Sequence, residues 1–416
     1  MRQFVSMEEA FEAIEKYASQ HPIKTSTVPL PDAVGQVLAE PAVAQLSIPP
    51  FNNSARDGVI LSSTGVDAAK RGEIIALAGE LRAGDSIETA NGLRGMAARI
   101  MTGAPVPDWG AAIVMIEDIE FSDDTSFMVK AVPDKGAWIR SEGSDITSGL
   151  TILKPGCRIV SEHVQALASS GVVEVTVHVR PRVGVCSTGE ELVDISSGRP
   201  GSGQIYDSNR PFMNAVMQSF GCDVAVNEHV GDTLDEMVNF LKNAMEASLD
   251  LVISSGAVSM GSYDFVKPAL EALGAQIVFH KVKQKPGRPL LFAILPNGTL
   301  YFGLPGNPVS TVVNCRFYVY YALSVMQQQK QEVSIKLPLE AGIDKPEGIA
   351  VFLKARCARA HHGASVCALE GQESFQTRPL LEMNGWVVMG EREGSAQTGD
   401  MVNFYPLNPN GLPDIF

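Results

Sequence analysis

Apolar positions recur every three or four residues in some stretches of this chain and in short β-like runs in others, and the change of pattern marks its elements. Met7, Phe11, Ile14 and Ala18 fall on one helical face, and Ser6 with Glu9 three residues on forms a capping box, so a helix is predicted over residues 6–19. Between residues 48 and 140 the apolar runs are short. Gly72, Gly79, Gly84, Gly92, Gly95, Gly103 and Gly110 interrupt them, which predicts a mostly β region. A second helix is predicted over 162–170, followed by Gly171 and a strand-like run over 172–179. Pro181, between two arginines, marks a boundary, because proline breaks strand pairing.

From residue 183 strand and helix patterns alternate. Phe212, Val216 and Phe220 repeat every four residues before Gly221, and Thr233 with Glu236 opens a helix carrying Met237, Val238, Leu241 and Met245. The strand candidates are 183–186, 249–253, 276–279, 290–294 and 300–302. Such alternation predicts a central doubly wound α/β domain with helices on both faces of its sheet. From residue 332 short β runs return, which predicts a small, β-barrel-like C-terminal domain. The expected divisions are 1–47 with 141–180 (helical and linker), 48–140 (mostly β), 181–328 (α/β) and 329–416 (C-terminal β).

Composition narrows the class. The 416 residues are 45% hydrophobic and 19% charged, ordinary for a large globular protein of several domains. With 33 basic and 47 acidic side chains the net charge is −14, which argues against nucleic acid or an anionic membrane as a partner. No apolar run is long enough to span a bilayer, and the first residues lead into an acidic amphipathic segment unlike a secretion signal. The six cysteines are scattered, so reduced thiols and a cytoplasmic location are expected.

The chemistry-bearing stretches are short, glycine- and proline-punctuated segments: residues 187–192 (STGEEL), 203–209 (GQIYDSN), 254–261 (SSGAVSMG), 285–289 (KPGRP) and 303–310 (GLPGNPVS). Three of them leave predicted strands. Loops at the carboxyl edge of an open α/β sheet hold ligands, and free amides at helix starts favour anions. A site for a phosphate-bearing or oxyanionic small molecule follows. Asp232 and Asp264 stand beside predicted helix starts and read either as dipole-favoured capping acids or as a divalent-cation pair. Glu191 reads as a solvated loop charge or a site acid. On one continuous strand Lys281, Lys283 and Lys285 would share a face and, with Arg288, form a basic cluster able to clamp an oxyanion. Ser310 is placed to cap the helix after the 303–308 turn. Asp57, Thr102 and Asp145 beside glycines read as turn formers, and His361-His362 as a loop. There is no Walker A loop, no dinucleotide fingerprint, and no visible Ser/His/Asp triad or Cys/His metal spacing.

In this order, and together with residues 48–58 (IPPFNNSARDG), 99–107 (RIMTGAPVP) and 371–374 (GQES), the segments resemble the molybdopterin molybdenumtransferase family, which includes bacterial MoeA and the E domain of gephyrin. The resemblance implies an elongated multidomain homodimer with a molybdopterin-binding α/β domain. It implies insertion of molybdate into adenylylated molybdopterin, with Mg²⁺ as cofactor and AMP released. It further implies contact with the molybdopterin adenylyltransferase and with proteins that mature molybdoenzymes. Carried over residue by residue, it implies catalytic roles for Asp57, Thr102, Asp145, Glu191, Asp232, Asp264, Lys281 and Lys285, with Asp232 and Asp264 on the metal. Substrate-binding roles are implied for Ser255, Gly256, Ser259, Arg288, Pro305, Gly306, Asn307, Ser310 and Ser374. Asp57, Thr102 and Asp145 are implied to reach the α/β site of the partner subunit. The chain departs from the family pattern at Asn52, Arg56, Val59, Ile60, Ala112, Ala257, Arg288, Lys354 and Glu373. Two alternatives remain beside the transferase: a molybdopterin adenylyltransferase, which shares the α/β core, and a non-catalytic pterin-binding or scaffolding protein.

Overall fold

The computed structural model describes residues 2–21, 23–257, 265–360 and 363–409. Its centre is a seven-stranded sheet built from Arg2–Val5 (β1), Arg182–Thr188 (β2), Asp223–Val230 (β3), Leu251–Ser255 (β4), Gln276–Val282 (β5), Leu291–Ile294 (β6) and Leu300–Leu304 (β7). The strand order is β1-β5-β6-β7-β4-β2-β3. Strand β6 runs antiparallel to both neighbours, and every other pairing is parallel.

Helices cover both faces. On one, Met7–Ala18 (α1), Asn209–Ser219 (α2) and Pro308–Asn314 (α3) pack on Val183, Val185, Ile253 and Phe302. On the other, Leu234–Glu246 (α4) and Val266–Ala272 (α5) pack on Cys186, Val252 and Tyr301. Neighbouring strand residues thus feed opposite cores, as the two-residue period of a strand requires. The doubly wound reading of this region holds.

Ser6 and Glu9 make the reciprocal bonds of a capping box on α1, and Thr233 caps α4 through Glu236 N. Chain direction reverses twice between β5 and β7, so the sheet is mixed. After β2 the chain crosses to β3 on one side and then returns to β4 on the other. That reversal leaves a crevice at the carboxyl ends of β2 and β4.

Outside this sheet, a six-stranded sheet runs within residues 58–129. Residues 25–43 pair with 151–178 through two small antiparallel ladders. At the C-terminal end Ile335–Pro338, Ala350–Ala360, Gly363–Ala368, Gly385–Met389 and Met401–Pro406 form one sheet, joined by Gln284–Lys285. A bridge from Leu339 to Val366 draws its two sides together, the barrel-like closure expected. All six cysteines are free thiols. No helix among the described residues is long and apolar enough to cross a membrane.

Three expectations need correction. Residues 2–18 belong with the α/β core rather than with 141–180: β1 pairs with β5, and Ala10, Ile14 and Ala18 are fully buried against the central sheet. A four-residue edge strand carries no sequence period that reveals its partner. Lys281, Lys283 and Lys285 do not share one strand face. Lys281 takes φ +73°, β5 ends at Val282, and Gln284–Lys285 joins the C-terminal sheet instead. Ser310 does not cap its helix: α3 begins at Pro308 with Asn307 as the capping residue, and Ser310 is buried inside the first turn.

Candidate active site

The loops after β2, β3, β4 and β7 surround a cleft of about 1030 Å³ at the carboxyl edge of the sheet. Strand β2 ends in Thr188 and β4 in Ser255, with Gly256 next. Gly256 takes φ +106°, and a Cβ there would lie 2.5 Å from Thr188 Oγ1 and 2.6 Å from Thr188 O. Only glycine lets these two strand ends approach so closely. The next residue, Ala257, also sits in the left-handed region at φ +50°. A residue with a Cβ in this conformation carries local backbone strain.

A hydrogen-bond network fixes the loop ends. Asn209 Nδ2 donates to Ser255 Oγ at 2.7 Å and to Gly306 O at 2.7 Å. Ser255 Oγ donates to Pro305 O at 3.3 Å, and Gly256 N to Leu304 O at 3.1 Å. One side-chain amide at the start of α2 therefore joins the ends of β4 and β7.

Beneath it lies Asp207, a carboxylate only 2% exposed. It accepts from Ser187 Oγ at 2.6 Å and from Arg210 Nε at 3.0 Å. Arg210 also pairs with Asp194. Hydrogen bonds from the Ser196 side chain and backbone, with the Arg210 guanidinium, hold the Asp194 carboxyl down at about 2.

Asp232 follows β3 and lines the cleft, where its Oδ2 accepts from Glu190 N at 2.9 Å. Thr188 Oγ1 is buried at the cleft and has no hydrogen-bond partner among the described residues. A buried hydroxyl without a partner is costly unless a ligand or water completes it.

The C-terminal sheet contributes one wall. Asn307 Nδ2 donates to Ser374 Oγ at 2.9 Å, and Val309 N to Ser374 O at 3.1 Å. Lys354, fully buried, donates from Nζ to Glu373 O at 3.2 Å and Gln376 O at 3.1 Å. Burial lowers its ammonium pKa. Glu373 points back at Lys285, with Oε1 3.7 Å from Nζ.

Of the residues singled out in the sequence, Glu191, Asp232, Ser255, Gly256, Pro305, Gly306 and Asn307 line the cleft together. Ser374 is tied to its rim, and Lys285 stands beside the neighbouring Glu373. Ser310 lies buried within α3. Lys281 and Arg288 do not line the cleft; the Lys281 ammonium lies 5.2 Å above the Phe4 ring.

Asp57, Thr102 and Asp145 lie outside the cleft of their own chain. The first two form a pair: Asp57 Oδ1 accepts from Thr102 N at 2.7 Å and Thr102 Oγ1 at 2.8 Å, which lowers the Asp57 pKa. Asp145 is held through its backbone to Ile48. Ser259, Asp264 and His361-His362 lie outside the described residues.

Sequence reading gave no role to Thr188, Asp207, Asn209 or Arg210. The first three lie inside the quoted segments 187–192 and 203–209, so the signal was present. What each side chain reaches was not.

Residues 5–171 match the MoeA N-terminal region (domain I and II), and residues 184–324 match the probable molybdopterin binding domain. The molybdopterin molybdenumtransferase of Synechococcus elongatus is 33% identical across 92% of this chain and 95% of its own length. That of Haemophilus influenzae is 31% identical across 95% and 98%. A crystal structure of the molybdopterin biosynthesis MoeA protein from Pyrococcus horikoshii superposes with a TM-score of 0.81. It covers 96% of this chain and 99% of that one at 24% identity, a likeness of fold.

Proposed function

From a chain that belongs to the molybdopterin molybdenumtransferase family, we propose that the cleft binds adenylylated molybdopterin, receives molybdate as second substrate and releases AMP. Molybdenum insertion in cofactor biosynthesis is the activity the family's name carries. The observation that supports this site for it is the convergence at one cleft of Thr188, Asp232, Ser255-Gly256 and residues 305–307.

The residues divide the work by chemistry. The close strand ends at Gly256 expose backbone to a phosphate, and the unpartnered Thr188 hydroxyl offers it a donor. Asn209 keeps the two loop ends at a fixed spacing, so the donors are positioned before the substrate arrives. Ser374 on the rim and Lys285 beyond it offer a hydroxyl and an ammonium to molybdate oxygens.

For Mg²⁺, the donor set at the cleft is carboxylate oxygen, which suits a hard cation. No cluster of three acidic, histidine or cysteine side chains stands ready among the described residues. Mg²⁺ needs only one or two carboxylates beside substrate phosphates, and Asp232, oriented by Glu190 N, fits that role. Asp264 supplies the second carboxylate on sequence grounds. When bound, the ion neutralises phosphate charge as AMP leaves.

Asp57, Thr102 and Asp145 complete the cleft of a partner subunit in a homodimer. Their absence from the lining of their own cleft and the depressed Asp57 pKa support an ionised carboxylate presented outward.

The test is AMP release from adenylylated molybdopterin by the purified protein. AMP is expected only with molybdate and Mg²⁺ both present, and chelation stops it. AMP formed equally without molybdate, or not at all, overturns the reading.

A further inference from the structure

Phe375 stands on the wall of the cleft and is 67% exposed. What distinguishes this ring from other exposed apolar side chains is its place on the wall of a cleft, where a ligand could cover it and remove apolar surface from water. Its loop is firmly held. On one side Ser374 is bonded through Oγ and O to Asn307 and Val309. On both sides the Lys354 ammonium binds carbonyls, those of Glu373 and Gln376, and Gln376 N closes the turn onto Glu373 O at 3.1 Å. Burying that ammonium is itself costly, as its lowered pKa records. The backbone is fixed on either side of a ring that stays largely uncovered. Among the described residues, Ile205 and Tyr206, 57% and 43% exposed, are the cleft's other large, openly exposed apolar side chains.

We propose that Phe375 is a stacking surface for a flat heteroaromatic ring of the substrate, which makes the C-terminal sheet a recognition element of the site. The inference rests on the transferase reading above. That substrate carries two such rings, pterin and adenine, and the same π-face chemistry serves either. A pre-positioned ring contributes to binding without the cost of ordering a loop. Phe375 is a binding and specificity residue; it has no group that could take part in bond making.

The experiment compares wild type with Phe375→Ala, Phe375→Leu and Phe375→Trp by calorimetric titration with adenylylated molybdopterin, with AMP and with molybdopterin. Phe375→Ala is expected to weaken the adenylylated substrate about tenfold. Phe375→Leu falls between, and Phe375→Trp stays within about twofold of wild type. The ring concerned is identified by which single ligand, AMP or molybdopterin, loses affinity. In turnover, KM rises in Phe375→Ala while kcat holds, and the melting temperature is unchanged because the ring is exposed. Wild-type affinity of Phe375→Ala for all three ligands overturns this inference alone. A wild-type protein that binds none of them overturns the transferase reading, and this inference with it.

Discussion

Lys285 and Glu373 meet where the α/β region touches the C-terminal sheet, with the ammonium 3.7 Å from the carboxylate. Both side chains are more than half exposed, at 57% and 60%. The pair is therefore screened and of little consequence for stability. Its importance is local: a negative charge sits beside a lysine proposed to meet an oxyanion. Glu373→Gln is expected to lower the KM for molybdate by on the order of two- to fivefold, with an unchanged melting temperature. Kinetics at varied molybdate, repeated at high salt where the difference shrinks, checks it.

Asn209 acts through two other loops. Asn209→Ala leaves the Gly306 carbonyl and the Ser255 hydroxyl without their shared donor. The expected cost is about 1–3 kcal/mol of stability, with a larger proportional fall in kcat/KM because the loop ends lose their spacing. Calorimetry and steady-state kinetics on one preparation separate the two effects.

Acid sensitivity has a sign fixed by Asp194. Its folded-state pKa of about 2 lies below the ordinary 3.8. The ionised form thus favours the native state. That contribution is complete above pH 4 and is lost as pH falls through about 2. The denaturant midpoint of wild type is expected to fall more steeply than that of Asp194→Asn between these values. Parallel curves would assign the loss to other carboxylates.

Ala257 occupies a left-handed conformation at φ +50°. Ala257→Gly relieves strain of about 1–2 kcal/mol, offset in part by the greater entropy of unfolded glycine, roughly 0.5–1 kcal/mol. A small rise in melting temperature is expected. A fall would show that the alanine methyl makes a packing contact worth more than the strain.

The homodimer reading predicts complementation. Asp57→Ala and Asp232→Ala proteins are each expected to be inactive. Heterodimers formed by dissociation and reassociation regain one intact site, and so about a quarter of wild-type activity when subunits mix statistically. Sedimentation of the mixture, followed by AMP assay, distinguishes recovered sites from residual homodimers. No recovery in demonstrated heterodimers removes the trans contribution.

What was legible in the sequence is what local chemistry controls. The 3.6-residue period of Met237, Leu241 and Met245 placed α4, and Thr233 with Glu236 placed its start. Glycines and prolines after apolar runs located the loops at strand ends, and Glu191, Asp232, Ser255, Gly256 and residues 305–307 do line one cleft. The order of the segments was sufficient to recognise the family. None of this needs knowledge of what each residue touches.

Tertiary structure alone decided the rest. Asn209 reaches Ser255 and Gly306, 46 and 97 residues away. Nothing in the residues around Asn209 specifies those partners. Lys281, Lys283 and Lys285 alternate in sequence, yet the chain turns at Lys281 and changes sheets, because β5 and Gln284–Lys285 pair with different strands. Phe375 looks like a core residue by type, and only the anchoring of Ser374 and Gln376 leaves its ring on the cleft wall. Periodicity and capping are set by neighbours a few residues apart. A site is set by contacts between distant segments, whose energies appear only when the whole chain has packed.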